Sequence, residues 1–234
     1  MGPLPPLSRF WQATDVGRRP RGSTRVQHEE AIMTPETDIP AGHIRVVITY
    51  LEMLQRPTRP TVPAPPGRLA LMRAEPPTIS FYRYLYDAVG RNWNWVDRKK
   101  LTDDQLKLII HDPKDEVYVL YVQGAPAGYA ELDLRRLPEI ELAYFGLVPE
   151  FIGRGLGWYL LNWAIDSAWN RDITRLWVHT NTLDHPRALG NYQRAGFVPY
   201  KQESHISPDP RIWTSAALKA LKRVTTNQPT GETD

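Results

Sequence analysis

The chain has 234 residues, of which 41% are hydrophobic and 24% charged, as expected for a globular protein with a core of ordinary size. It contains no cysteine, which excludes disulfides, thiolate metal sites and a cysteine nucleophile. No apolar run approaches the ~20 residues of a membrane-spanning helix, and the N-terminus lacks the apolar core of a signal peptide. We therefore expect a cytoplasmic protein with no membrane partner.

The net charge is +3, from 29 basic and 26 acidic residues. A nucleic-acid-binding protein usually concentrates its basic residues in one stripe or patch. Here the basic residues are spread along the chain, apart from a cluster at Arg18, Arg19, Arg21 and Arg25. We interpret that cluster as part of a solvated tail and expect no nucleic-acid partner.

Composition divides the chain into three parts. Residues 1–42 are rich in Pro, Gly, Arg and Thr and lack periodic apolar spacing, so we expect a disordered extension. Met33 is an alternative start, and the sequence leaves open whether residues 1–32 belong to the mature protein. Residues 43–205 are predicted to form one domain, and residues 206–234 a C-terminal tail with a short helix at 214–223.

The first half of the domain mixes strands and helices. β-Branched and aromatic residues predict strands at 44–51 and 69–73, and the proline-rich segment 56–68 between them is predicted to be a stiff linker. Two helices follow at 78–89 and 102–111, the second with a threonine N-cap and two aspartates in its first turn.

The second half predicts the rest of the sheet. Its elements in chain order are strands at 117–122, 129–134 and 139–148, a helix at 155–169, a strand at 176–180, a helix at 187–195 and a strand at 197–202. Antiparallel hairpins come first and a parallel crossover follows. The order predicts one α/β domain, of the α+β kind, around a central mixed, mostly antiparallel sheet flanked by helices.

A glycine-rich loop, Gly153-Arg154-Gly155-Leu156-Gly157, separates the strand at 139–148 from the helix at 155–169. Glycine allows backbone N–H groups to turn toward a bound anion. The helix start adds unpaired N–H donors and the positive end of a dipole, and Arg154 adds a formal charge. The loop therefore predicts a ligand that carries phosphate.

Three kinds of phosphate loop compete for this pattern. A P-loop continues with Gly-Lys-Ser/Thr, whereas Trp158 follows Gly157 here. A dinucleotide fingerprint has the spacing G-x-G-x-x-G, whereas these glycines have the spacing G-x-G-x-G. The third kind is the loop that binds the pyrophosphate of coenzyme A.

The loop resembles that of the GNAT superfamily of N-acetyltransferases. The family pattern, Gln/Arg-x-x-Gly-x-Gly/Ala, is matched at Gly155 and Gly157 and departs at Ile152. A later family segment, A-x-x-x-Y-x-x-x-G-F, recurs from Ala188 to Phe197. The resemblance implies a GNAT-like fold and an enzyme that uses acetyl-CoA as co-substrate, without a metal.

The resemblance also implies where the coenzyme lies. Backbone N–H groups near Phe145 and Leu147 would polarise the thioester carbonyl, and the pantetheine arm would pair with the sheet edge like an extra strand. The residues expected to bind the coenzyme are Phe145, Gly146, Leu147, Val148, Gly153, Arg154, Gly155, Leu156, Gly157, Trp158, Asn181 and Asn191.

Acetyl transfer to an amine needs a base, because an alkyl ammonium has a pKa near ~10. Glu141 is the first candidate, since its distance from the loop equals that of the catalytic glutamate in several GNAT enzymes. We expect it to face the same side as Ala143, Phe145 and Leu147, in an apolar environment that raises its pKa. A surface or salt-bridged carboxylate is the alternative reading, and Glu131 is the reserve base.

Tyr192 is the candidate acid. The resemblance places it beside the coenzyme sulfur, where a phenol can protonate the departing thiolate. A ring that only packs under the sheet is the alternative.

The junction before the last helix is unusually polar. Asn181 and Asp184 are candidates to bind coenzyme or substrate, although Asp184 could equally cap the helix before Pro186. His185 stands where many family members have Asn. We interpret the isolated His179 and His185 as structural and predict no metal site.

Aromatic residues cluster where the family covers its acceptor pocket. Tyr82 and Tyr86 share one helical face with Val89, whereas Phe81, Tyr84 and Leu85 share another. Two aromatic faces on one helix suggest that one lines a cleft. A Trp-Asn-Trp loop could stack on a ligand or hold a cation, although all of these rings could also brace a small core. The residues expected to contact the acceptor are Tyr82, Tyr86, Trp93, Trp95 and Glu131.

The leading hypothesis is an N-acetyltransferase that transfers acetyl from acetyl-CoA to a primary amine of a small molecule. The mechanism would be direct attack in a ternary complex, because no cysteine can carry the acyl group. The alternatives are a protein lysine or N-terminal acetyltransferase and a non-catalytic acyl-CoA-binding sensor. The sequence leaves the acyl chain length and the oligomeric state open, a homodimer included.

Overall fold

The structure is a computed structural model that describes residues 39–209 and Ile212. Residues 1–38 of the extension predicted at 1–42, and the helix predicted at 214–223, lie outside the described residues. Seven strands form one sheet, namely β1 (His43–Met53), β2 (Leu69–Ala74), β3 (Asp115–Val122), β4 (Ala125–Asp133), β5 (Glu139–Leu147), β6 (Arg175–Asn181) and β7 (Val198–Pro208). The last strand continues six residues past its predicted end at 202.

The strands are ordered β2-β3-β4-β5-β6-β1-β7 across the sheet. Every neighbouring pair is antiparallel except β5 and β6, which are parallel. The predicted mixed, mostly antiparallel sheet is therefore confirmed.

Helices cover both faces of the sheet. In the described part of the chain they are α1 (Ile79–Gly90), α2 (Asp97–Lys100), α3 (Asp103–Ile110), α4 (Leu156–Trp169) and α5 (Ala188–Arg194). The Thr78 side chain caps α1, and Thr102 forms a capping box with Gln105 at the start of α3. The sequence does not predict α2, because a four-residue helix is too short to show a helical period.

The two faces of the sheet have different character. One face packs against α4 and α5 through an aliphatic core that includes Leu132, Leu160 and Ile165. The opposite face packs against α1 through aromatic rings, with Tyr82 on α1 at 6.3 Å from the Tyr129 ring on β4. The candidate acid Tyr192 and the candidate base Glu141 lie on different faces of the sheet.

The proline-rich segment 54–68 connects β1 to β2, which lie toward opposite ends of the sheet. It has no regular secondary structure, as predicted from its prolines. Arg59 fixes the segment to α4, since its guanidinium donates hydrogen bonds to both carboxylate oxygens of Asp166 and to the carbonyl of Asn162. These bonds hold the segment against α4, a helix that also contributes to the aliphatic core.

A β-bulge changes which residues of β5 share a face. The register shifts between Glu131 and Leu132 of β4, which pair with Tyr144 and Leu142, so Ala143 is an extra residue on β5. The extra residue reverses the alternation of side chains along the strand. The predicted common face of Glu141, Phe145 and Leu147 is therefore wrong.

A buried ion pair joins α2 to the sheet. The guanidinium of Arg98 forms a short salt bridge with Glu131 on β4, and both side chains are at most 2% exposed. The Tyr82 hydroxyl donates to Glu131 at 2.5 Å and accepts from Arg98 Nε at 2.9 Å. The Tyr86 hydroxyl accepts from the backbone N–H of Arg98. This cluster locks α1 and α2 onto β4.

The cluster corrects three predicted acceptor contacts. Glu131 and Tyr82 are fully buried and Tyr86 is 2% exposed, so none of them lines an open cleft. Burial also raises the pKa of both tyrosines well above 10, which keeps the phenols neutral. The aromatic face containing Tyr82 and Tyr86 is the core face of α1, whereas Tyr84 on the other face is 49% exposed.

We predict that Arg98→Met destabilises the protein by about 3–5 kcal/mol, because it leaves the Glu131 carboxylate buried and unpaired. Arg91→Met is the matched control, because the Arg91–Asp87 pair is exposed on both sides and exposed pairs contribute only about 0–1 kcal/mol. The free energy of unfolding from urea titrations measures both changes. Equal losses in the two variants would contradict a stabilising role for the buried pair.

Candidate active site

The glycine-rich loop leads directly into α4. Gly153 and Gly155 have φ angles of +87° and +76°, a left-handed conformation that a Cβ atom disfavours. Gly155 is the N-cap of α4, no side chain caps the helix, and its first turn has no acidic residue. The positive end of the helix dipole is therefore not compensated by its own first turn.

The donors of this loop are free. Within residues 39–209, the backbone N–H groups of residues 153–158 donate no hydrogen bond. Two guanidinium groups lie close by without a salt bridge to a described residue: Arg154, at 5.3 Å from the Phe151 ring centroid, and Arg194, at 4.2 Å from that of Trp158. The helix start thus combines unused donors, the positive end of the helix dipole and two nearby guanidinium groups, which suits a phosphate-bearing ligand.

The parallel strands β5 and β6 part before β5 reaches this loop. They pair at only three positions, which end at Glu141 and Trp177. Both strands continue beyond that point, β5 to Leu147 and β6 to Asn181, without further pairing to each other. Backbone groups on the facing edges are therefore available to an extended ligand inserted between the strands.

Glu141 lies at the point where the strands part, and it contacts His179 of β6. The Glu141 Oε1 to His179 Nδ1 distance is 3.2 Å, and the two side chains are 18% and 40% exposed. The rings of Tyr50 and Trp177 lie 5.8 and 6.2 Å from the imidazole. The predicted apolar environment of Glu141 is therefore wrong, and so is the prediction that His179 is an isolated histidine.

The contact with Glu141 raises the pKa of His179. Burial lowers the pKa of the imidazole, but the hydrogen bond and negative charge of Glu141, followed by the charges of Asp184 and Asp97, raise the pKa by more. The net pKa lies above the ordinary value of 6.5. His179 therefore holds its proton to higher pH than an ordinary imidazole, as suits a group that accepts a proton.

Tyr192 lies on the other face of the sheet, in the core against α4. It is 7% exposed, and its ring lies 6.3 Å from Phe145 on β5 and 5.9 Å from Phe197. Burial, and to a lesser extent the charge of Asp184, raises the pKa of Tyr192 above 10, so the phenol remains a proton donor. Its hydroxyl makes no hydrogen bond to any residue in the range 39–209.

The Trp-Asn-Trp loop closes over the end of β6. The Trp95 indole N–H donates to Asp184 at 3.1 Å, and Trp93 stacks at 4.6 Å from the His185 ring. Both tryptophans are half-buried. They border the same region as Asp184 and therefore lie near the open end of the gap between β5 and β6.

Asp184 has a bracing role. One of its oxygens accepts from Trp95, and the other accepts from Thr180 Oγ1 and from the backbone N–H of Asn181, both at 2.9 Å. It does not cap α5, which begins after Arg187. Neither alternative from the sequence analysis, a ligand contact or a helix cap, describes these bonds.

Further predicted coenzyme residues lie on β5, at the end of β6 and on α5. Leu147 packs near Gly157 and, with Phe145, against the aliphatic core. A Cβ on Gly146 would lie 2.5 Å from Val89, so packing against α1 accounts for this glycine. Asn191 is exposed on α5. The side-chain Oδ1 of Asn181 accepts from the backbone N–H of Leu183 and closes a local turn.

The residues described by the structure contain no group of three or more side chains suited to bind a metal ion. Nor is any of their helices long and apolar enough to cross a membrane.

The chain belongs to the acetyltransferase (GNAT) family, because the model of that family matches residues 81–197, which is half of the chain. This range contains the glycine loop, Glu141, His179 and Tyr192. This chain is also 31% identical over 111 residues to an uncharacterised N-acetyltransferase of Methanocaldococcus jannaschii. That alignment covers 44% of this chain, and the chain spans about half, 48%, of the relative's length.

Solved structures show the same fold at low sequence identity. A GCN5-related N-acetyltransferase from Sphaerobacter thermophilus has a TM-score of 0.54 and 17% identity, over 71% of this chain and 53% of that chain. A Drosophila protein has a TM-score of 0.51 and 12% identity, over 74% and 54% of the two chains. These likenesses confirm the GNAT-like architecture inferred from the sequence.

We predict that Glu141→Gln lowers the pKa of His179, because the carboxylate supplies the hydrogen bond and charge that raise it. NMR titration of the imidazole resonances measures this pKa in both proteins. A pKa raised by folding stabilises the protein below pH ~6.5, the unfolded value, and this contribution is lost as pH rises through the folded pKa. An unchanged pKa in the variant would show that the contact at 3.2 Å is not maintained in solution.

Proposed function

We propose that this protein is an N-acetyltransferase that moves the acetyl group of acetyl-CoA to a primary amine of a small molecule. The observation that carries the proposal is the junction of two features, an electropositive helix start with unused N–H donors and a gap between β5 and β6. Membership of an acetyltransferase family agrees with both features. The coenzyme has a phosphate-rich end and a long extended arm, and the junction offers a complementary surface for each.

The loop residues fit the phosphate end. The N–H groups of residues 153–158 and the side chain of Arg154 would hold the pyrophosphate, because they combine donors with positive charge and have no acidic neighbour in the first turn of α4. The pantetheine arm would use the unpaired edge of β5 toward Leu147. The thioester would then lie near the position where the strands part.

The acceptor would approach from the face that carries Glu141 and His179. This face is bordered by Trp93 and Trp95, whose rings are fixed by contacts to His185 and Asp184. Half-buried aromatic rings beside a carboxylate suit a compact cation such as a protonated amine. This arrangement supports a small-molecule acceptor.

The reaction would be a direct transfer. The neutral amine nitrogen attacks the thioester carbonyl, the C–N bond forms and the C–S bond breaks, and its electron pair remains on sulfur. The proton lost by the ammonium passes to the Glu141–His179 pair, and Tyr192 donates a proton or a hydrogen bond to the thiolate. Because the chain contains no cysteine, a thiol cannot serve as acyl carrier, which favours a ternary complex.

A screen for thiol release tests the proposed function. The protein is incubated with acetyl-CoA and a panel of small primary amines, amino acids and peptides, and free thiol and acetylated product are measured. The proposal predicts transfer to at least one small amine at a rate above that with peptides. Coenzyme binding without transfer to any amine would contradict it and favour the non-catalytic sensor.

We predict that Gly155→Ala weakens acetyl-CoA binding about tenfold or more, because a Cβ at a φ of +76° costs roughly 1–2 kcal/mol and would shift the N–H groups of the loop. Isothermal titration calorimetry measures the Kd. Gly190→Ala on α5 is the control, since its Cβ would meet no atom within 4 Å and alanine favours a helix. Equal affinities in the parent and in Gly155→Ala would contradict coenzyme binding at this loop.

We predict that Tyr192→Phe lowers kcat by about 10²–10⁴, the range for loss of a general acid, and changes the KM for acetyl-CoA little. Its hydroxyl makes no hydrogen bond to a described residue, so we expect the free energy of unfolding to stay the same. Tyr84→Phe on the exposed face of α1 is the control and should retain kcat. A Tyr192→Phe variant with the parent's kcat would reduce Tyr192 to a packing role.

A further inference from the structure

We propose that His179 is the group that takes the proton from the acceptor amine and that Glu141 is its positioning partner. This inference rests on the proposed N-acetyltransferase function and specifies its base. It reverses the roles that the sequence suggests, in which Glu141 is the first candidate base, Glu131 is the reserve and His179 is structural.

The contact geometry defines the tautomer of His179. Glu141 approaches the Nδ1 atom of the ring, and a carboxylate can only accept a hydrogen bond. The Nδ1 atom of the neutral imidazole therefore carries the hydrogen, and the lone pair resides on Nε2. Within residues 39–209, Nε2 has no hydrogen-bond partner, so this lone pair is available to an acceptor ammonium.

Position and exposure favour the imidazole over the carboxylate. The parallel pairing of β5 and β6 ends at Glu141 and Trp177, and His179 lies two residues further along β6, on the same face as Trp177 and past the last pair. The His179 side chain is 40% exposed and that of Glu141 only 18%. An amine entering from this face therefore meets the imidazole first.

The groups around His179 stabilise the charge it would gain. Glu141 from β5, Asp184 after β6 and Asp97 on α2 all act on it as negative charges. Tyr50 from β1 faces the ring and stays neutral, because burial and its hydrogen bond to Glu203 raise its pKa.

The cations on this face are already engaged. Arg175 pairs with Glu52 and Glu139, and Lys201 pairs with Glu203. An imidazolium at His179 would therefore have carboxylates as its nearest charged neighbours.

The proposed proton transfer needs no reactant other than the acceptor ammonium, the thioester and water. The acceptor ammonium gives one proton to Nε2, which leaves a neutral amine and an imidazolium whose Nδ1–H remains bonded to Glu141. The amine then forms the C–N bond as the C–S bond breaks, and the electron pair of the C–S bond remains on sulfur. The new amide nitrogen releases its second proton to water, the thiolate takes a proton from Tyr192, which recovers one from water, and the imidazolium returns its own proton to water. His179 must be neutral at the start, so the rate should rise with pH through the pKa of His179 and then level off.

The pH dependence of kcat/KM in the full-length chain tests this assignment, with the best small amine from the screen as acceptor. The parent should show one ascending limb at the pKa of His179. His179→Gln should lose that limb and about 10²–10⁴ of the plateau rate. Glu141→Gln should keep the limb but shift it to lower pH, with a smaller loss of about tenfold.

Glu139→Gln is the matched control, because Glu139 precedes Glu141 by two residues on the same strand and pairs with Arg175. It should reproduce the parent's profile. The opposite pattern, in which Glu141→Gln abolishes the limb while His179→Gln retains it, would overturn the proposal and make Glu141 the direct base. No transfer by the parent to any amine would reject the proposed function itself, which is a different result.

The tautomer supplies a test that does not depend on turnover. ¹⁵N NMR of the neutral imidazole should show hydrogen on Nδ1 and a free lone pair on Nε2. Hydrogen on Nε2 would overturn the assignment, because the nitrogen that faces the acceptor could then accept no proton.

Discussion

The proposed site depends on the short parallel pairing between β5 and β6. Three paired positions are enough to hold the strands together at one end, and the end of the pairing at Glu141 and Trp177 leaves facing backbone edges unpaired. Unpaired edges are costly in a sheet unless something covers them. The glycine loop follows β5 and leads into α4, so the start of this helix, with its unused N–H donors, lies next to the same gap. The phosphate end and the extended arm of one ligand can therefore be bound by adjacent parts of the chain.

The acceptor face is held by a second interaction, the buried Arg98–Glu131 ion pair. It is formed between β4 and α2, and Tyr82 on α1 adds a hydrogen bond to each partner. Because a buried charge without its partner is strongly destabilising, this cluster fixes α1 and α2 against the sheet. The Trp93–Trp95 loop lies between those two helices, so its position beside β6 follows from the same cluster.

Much of the fold could be read from the sequence because apolar patterning and capping are local signals. The continuous apolar run at 117–122 predicts a buried strand, and Thr102 precedes a helix with acids in its first turn. The face assignments could not be read in this way, since the bulge at Ala143 reverses the alternation without any glycine or proline to mark it. Glu141 and Phe145 were therefore placed together although they point to opposite faces.

The site was predictable in its glycine loop and less so in its catalytic groups. Backbone geometry requires glycines at fixed positions of the loop, so the loop can be recognised in the sequence. The Glu141–His179 contact arises instead from the register of two strands, and its two residues are 38 positions apart in the chain. Glu131 shows the converse case, since a carboxylate on the predicted strand proved to be a buried partner of Arg98. Residue type and spacing locate a phosphate site well, but only packing decides which carboxylate remains accessible.

The most direct test of the proposed site is a crystal structure with acetyl-CoA and the acceptor amine bound. We expect the pyrophosphate on the N–H groups of residues 153–158, the thioester between β5 and β6, and the acceptor nitrogen within hydrogen-bond distance of His179 Nε2. A coenzyme bound away from the glycine loop, or an acceptor on the face that carries α4, would contradict it.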